Sequence, residues 1–145
     1  MIDPLNIPSI ADEELLARFI VNSNERRSDG NVTPKLFLPY SRVDLSVNRH
    51  RNATEDETWS IGRKVAAQRG KALYGRADIR ASSCRISPLD VLPMPILPEN
   101  PNHAEIVGYP PAKEDQLSLA EKLAAAIEGK WKAPPLEVRG ELDQS

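Results

Sequence analysis

The chain has 145 residues, 40% hydrophobic and 28% charged, with a formal net charge of -2 and a mean hydropathy of -0.45. That balance suits one ordinary folded domain with an apolar core rather than a disordered or membrane chain. No apolar run approaches the roughly 20 residues that span a bilayer, and Met1-Ile2-Asp3-Pro4 lacks a basic segment followed by an apolar one. Neither a membrane partner nor export is therefore expected. The single Cys84 rules out an internal disulfide and a cysteine-cluster zinc site, which fits a cytoplasmic protein without cofactors.

In chain order, residues 1 to 9 read as a flexible arm. Leu15, Leu16, Phe19 and Ile20 recur at helical spacing and predict a helix from Ile10 to Val21, capped by Ser9, with Asp12, Glu13 and Glu14 in its first turn. The polar stretch from Asn22 to Asn31 reads as an exposed loop. Leu36 to Leu38 and the alternating Val43, Leu45 and Val47 predict a strand pair joined near Pro39-Tyr40-Ser41. Thr54-Glu55-Asp56-Glu57 has capping-box spacing and opens a helix to about Gln68 that stops at Gly70.

Ala77, Ile79 and Ala81 alternate with Asp78, Arg80 and Ser82, the pattern of a half-buried strand. From Pro88 to Pro101 five prolines punctuate apolar residues and predict an extended segment on the core or at a sheet edge. His103 to Tyr109 predicts a strand with Ala104 and Ile106 on one face and His103, Glu105, Val107 and Tyr109 on the other. A last helix from Lys113 to Glu128 carries Leu117, Ala120, Leu123, Ala124 and Ile127, and residues 130 to 145 read as a flexible tail. The expected fold is a single α+β domain over residues 10 to 129, with a small, mostly antiparallel sheet and about three helices.

Leu73-Tyr74-Gly75-Arg76-Ala77-Asp78 and Asn100-Pro101-Asn102-His103-Ala104-Glu105-Ile106-Val107-Gly108-Tyr109-Pro110 stand out as motifs, with Val47-Asn48-Arg49 and Trp59-Ser60-Ile61-Gly62. In these the chain resembles a family of short, uncharacterised bacterial proteins, over roughly residues 13 to 127. The resemblance implies a bacterial stand-alone domain and attaches no activity, ligand or catalytic residue to it.

There is no glycine-rich phosphate loop, G-x-S-x-G, H-E-x-x-H or calcium loop. His103-Ala104-Glu105 has the H-x-E of zinc deaminases without the P-C-x-x-C they require. On a strand His103 and Glu105 share a face about 7 Å apart, so both could line one pocket as acid and base. With His50 and an anchoring Arg49, Arg76 or Lys71, such a site could cleave a phosphodiester without metal. The competing expectation is that both histidines are structural.

Between Arg42 and Arg85 stand ten Lys or Arg residues against five acids. Arginine forks suit phosphate, and Trp59 or Tyr74 could offer a stacking face. The preferred expectation is a non-catalytic binding or accessory module that presents Arg49, Arg63, Lys71, Arg76 and Arg80 to a phosphate-bearing partner, such as nucleic acid, or to an acidic one. One alternative is a metal-independent phosphodiesterase or transferase using His103 as acid or base and Glu105 to orient it. The other is a protein-protein adaptor docking through Pro88 to Pro101. Cys84 beside Arg85 is read as an inert small hydrophobe. The functional expectation requires Arg49, Arg76 and His103 to converge beside the Thr54 helix in one cationic hollow.

Overall fold

The computed structural model describes residues 2–40 and 42–136. Strands β1 (Leu15–Ile20), β2 (Asp44–Arg49), β3 (Gly75–Arg80), β4 (Asp90–Pro93) and β5 (His103–Val107) form one antiparallel sheet in the order β3-β1-β2-β5-β4. Helices α1 (Glu55–Gln68), α2 (Ala81–Ile86) and α3 (Lys113–Ala125) complete an α+β fold. None of the described helices is long and apolar enough to cross a membrane.

One sheet face carries the main core. Leu16, Ile20, Val47, Ile79 and Ile106 pack there against Leu36, Phe37 and Cys84, and against Leu123 of α3. The other face is covered only in part: α1 lays Ile61 and Val65 on Ala17 and Phe19 of β1. Its capping box forms as the sequence predicts, with Thr54 Oγ1 accepting from Glu57 N at 3.1 Å and Glu57 Oε1 accepting from Thr54 N at 2.9 Å. Gly62 lets the helix close on this face, because a Cβ there would lie 2.6 Å from Cε1 of Phe19.

The predicted first helix is instead β1. Its apolar positions fit helical spacing, but Ala17 is fully buried and Arg18 only 8% exposed, so the whole run is enclosed. A central strand covered on both faces is continuously apolar rather than alternating, and periodicity cannot separate it from a buried helix. The acidic residues before it serve arginines rather than a helix dipole: Glu14 pairs with Arg49 and Asp12 with Arg85. Leu36 is likewise not in a strand, because Pro34 opens a 3-10 turn, Pro34–Phe37, that drives Leu36 and Phe37 into the core.

The strand expected around Ala77 is buried on both faces and ends at Arg80, where α2 begins directly. The expected His103 strand is β5, with Ala104 and Ile106 buried and His103 and Glu105 on the opposite face. Tyr109 leaves that pattern: Gly108 adopts φ 98 and turns the chain, and the Tyr109 hydroxyl donates to Phe37 O at 2.8 Å. In α3 the apolar stripe is shorter than expected. Leu117 is 42% exposed, while Gln116 is buried and donates to the carbonyls of Arg42 and Pro110.

Both sheet edges are closed. At β4, the Val91 amide donates to Asp90 Oδ1, Val91 O accepts from Arg85, and Pro93 has no N–H. At β3, Arg76 and Lys132 exchange backbone bonds of 2.9 Å in both directions, and Glu128 N donates to Asp78 O. The start of the expected tail is thus a sheet neighbour, with Trp131 donating to Gly30 O and Arg27 O; residues 137 to 145 lie outside the described residues. The N-terminal arm is also held, since Arg49 donates to Pro8 O and Arg51 to Asp3 O and Asn6 O.

Candidate functional site

Three arginines are more than nine-tenths buried: Arg18 at 8% exposure, Arg49 at 2% and Arg76 at 2%. Burying a guanidinium is costly unless charge and hydrogen bonds compensate, so the partners of each reveal its role. Arg49 binds the Glu14 carboxylate through two nitrogens and donates to Pro8 O. Arg76 holds Glu55 through two bonds of 3.0 Å, reaches Asp78 at 3.1 Å and stacks on Trp59 at 4.8 Å. His50 Nε2 also lies 2.8 Å from Asp78, and Lys132 Nζ lies 3.3 Å away. Burial alone would raise the Asp78 carboxyl, but the bonds and charges of His50 and Arg76 outweigh it and hold it at about 2.

Arg18 differs. Its Nε donates to Leu36 O at 2.8 Å and its Nη1 to Ser46 O at 2.9 Å, yet among the described residues no carboxylate lies within ion-pair distance and Nη2 makes no bond. Burial and then the positive charge of Arg69 lower its pKa to about 10. Glu25 acts on it only through space, its carboxylate being spent on the amides of Val21 and Asn22 and the side chain of Asn22.

The reason for this placement is the sheet itself. β1 and β2 register at only two pairs, Leu16 with Arg49 and Ala17 with Asn48, against six between β1 and β3. Beyond Ala17 the Arg18 guanidinium bridges to the neighbouring strand. Here, between α1 and the uncovered part of the sheet, lies a cleft of about 490 Å³. Buried Arg18, Phe19, Asn48 and Ile61 make its floor, and exposed Lys64, Arg69, Ile96 and Glu99 its rim, with Ser46 and His103 between.

Of the residues singled out from sequence, His103 alone lines this cleft. The expected convergence of Arg49, Arg76 and His103 does not occur, because Arg49 and Arg76 are locked in internal ion pairs. Arg63 donates to Pro135 O, Lys71 to Asn22 Oδ1, and Arg80 to Glu13 O with Glu128 at 3.6 Å. Nor does Glu105 orient His103: the ring Nδ1 lies 2.8 Å from Met94 O. A carbonyl only accepts, so Nδ1 carries the proton and Nε2 is left unbonded. Burial, then the charge and hydrogen bond of Asp44, raise the Glu105 carboxyl above its usual range. Cys84 is fully buried and burial pushes its thiol up to about 12, so it is inert as a nucleophile.

The cationic middle third is thereby sorted. Eight of its ten Lys and Arg side chains bond to the chain's own carboxylates, carbonyls or amides. Lys64 and Arg69 make no such bond among the described residues, and both line the cleft with Arg18. Sequence reasoning counted these two without singling them out and missed Arg18. Its signal was one arginine inside the apolar run from Leu15 to Val21.

The asparagines of the motifs singled out from sequence are structural here. Asn102 is fully buried and donates to Arg49 O and Arg51 O, while Asn48 and Asn100 exchange side-chain bonds of 2.8 and 3.2 Å. Among the described residues no group of three or more His, Cys, Asp or Glu is arranged to hold a metal. No family model, curated protein or solved structure matches the chain.

Proposed function

We propose that the protein is a non-catalytic binding module that takes a phosphate-bearing ligand in the cleft between α1 and the sheet. The observation that carries this reading is Arg18. It is the one of three buried arginines with no carboxylate partner among the described residues, and it shares a cleft with the two cations of the middle third that the fold leaves unbonded. An anion there completes a site whose donors are already fixed in place, since Leu36 O and Ser46 O hold the guanidinium.

Titration of inorganic phosphate into the full chain, followed by amide chemical shifts, tests it. Shifts should map to β1, β2 and the end of α1. Arg69→Gln should weaken binding about tenfold, the worth of one hydrogen bond to a charged group. Lys71→Gln, whose lysine bonds Asn22 outside the cleft, should leave it unchanged. Equal binding by both variants sinks the reading.

A second reading keeps one support. His103 lines the same cleft with Nε2 unbonded, the position of an acid or base in a metal-independent phosphodiesterase. Phosphodiester turnover lost in His103→Ala, with unchanged melting and phosphate binding, would favour it over the binding module.

A further inference from the structure

The cleft holds more than an anion site. Its floor includes Phe19 and Ile61, its wall Val65, and its rim Ile96, which is 49% exposed on the proline-rich segment. An all-polar ligand would leave this apolar lining uncovered. Two further groups face the ligand: the Glu99 carboxylate on the rim, an acceptor, and the unbonded Nε2 of His103, which accepts when Nδ1 holds the only ring proton. The site therefore offers cations for a doubly charged end, an apolar slot for a compact body, and acceptors for ligand N–H or O–H groups. The volume of about 490 Å³ suits one small molecule. A polymer is disfavoured, because the remaining arginines of the middle third are bonded internally and the chain carries a net charge of -2.

On these grounds, and resting on the proposed phosphate-binding reading, we infer that the ligand is a nucleoside monophosphate, its phosphate on Arg18, Lys64 and Arg69 and its base against Phe19, Ile61 and Ile96. The base supplies both the planar apolar surface and the donors that Glu99 and His103 accept. The acceptor groups also favour a base with an exocyclic amine over one presenting only carbonyls.

The test titrates the full chain, by calorimetry at fixed salt, with each of four nucleoside monophosphates, ribose 5-phosphate, inorganic phosphate and a mixed-sequence single-stranded octanucleotide. At least one mononucleotide should bind about tenfold tighter than ribose 5-phosphate, the scale of one base stacked on an apolar or aromatic surface. Ile96→Ala should reduce that advantage and leave inorganic phosphate unaffected, whereas Arg69→Gln should weaken both, with melting temperatures near that of the parent chain. If phosphate binds and Arg69→Gln weakens it, but no mononucleotide exceeds ribose 5-phosphate, the ligand class is wrong and the phosphate-binding reading survives. If the octanucleotide binds tighter than every mononucleotide, the site serves a polymer and the inference fails. If nothing binds, both fall.

Discussion

Replacing Asp78 with asparagine removes the carboxylate that His50, Arg76 and Lys132 share. Asp78 is 3% exposed and its pKa falls from 3.8 to about 2, so the folded state favours the ionised form. A lowered carboxyl pKa contributes stability that is fully present above the unfolded value and disappears as pH falls through the folded one. The shift corresponds to about 2 kcal/mol near neutral pH, of which about half remains at pH 3 and little at pH 2. Asp78→Asn should therefore lower urea-unfolding stability by about 2 kcal/mol at pH 7, with unchanged m-value, and by about half as much at pH 3. Glu55 still holds Arg76 in the variant, so the fold should persist. A loss that is the same at both pH values, or absent at pH 7, would refute the assignment of Asp78 as the charged centre of this network.

Glu14→Gln takes the countercharge from buried Arg49 and should cost about 3 kcal/mol in denaturant unfolding, as breaking a buried ion pair does. Thr58→Val should raise the melting temperature by a few degrees, because Oγ1 of Thr58 is the buried polar atom without a partner among the described residues, and an isosteric methyl removes a desolvation cost of about 1 kcal/mol. Glu105→Gln should stabilise the protein at pH 7 and do so less as pH falls, since burial and the neighbouring Asp44 raise that carboxyl; scanning calorimetry at two pH values reads it. Trp131→Ala removes the stacking on Arg26 and the bond to Arg27 O at the β3 edge; it should cost roughly 2 kcal/mol in urea unfolding, below the range for a fully buried tryptophan.

Much of the fold was legible because local signals agreed with the tertiary outcome. The Thr54 capping box, the alternation from His103 to Val107 and the edge position of the proline-rich segment all survive folding. β1 was not legible as a strand, because a strand enclosed on both faces has no period-two signal. α2 is six residues long, too short for helical periodicity to emerge. The site was legible in composition only. An excess of arginine marks a cationic segment, but which cations the fold consumes depends on carboxylates such as Asp12 and Glu14, far away in the chain. The opening between β1 and β2 that admits Arg18 is a matter of register, which a single sequence does not encode locally.

The contrast between Arg18 and Arg49 separates an arginine kept for ligand from one kept for the fold. Arg49→Met leaves Glu14 without its cation and Pro8 O without its donor, so it should cost about 3 kcal/mol or more. Arg18→Met strands no carboxylate. It leaves Leu36 O and Ser46 O unbonded, but removes a charge whose pKa is lowered from 12.5 to about 10 by burial and then by repulsion from Arg69, together corresponding to about 3 kcal/mol of destabilisation. Ser46 lines the cleft, where water can reach its carbonyl, so the two effects should nearly offset and the variant should lose less than about 2 kcal/mol in urea unfolding. Its affinity for phosphate should fall at least tenfold, the charge and the Nη2 donor both being gone. An Arg18→Met chain as unstable as Arg49→Met that still binds phosphate like the parent would make Arg18 a structural residue, and the cleft would lose the cation on which its function depends.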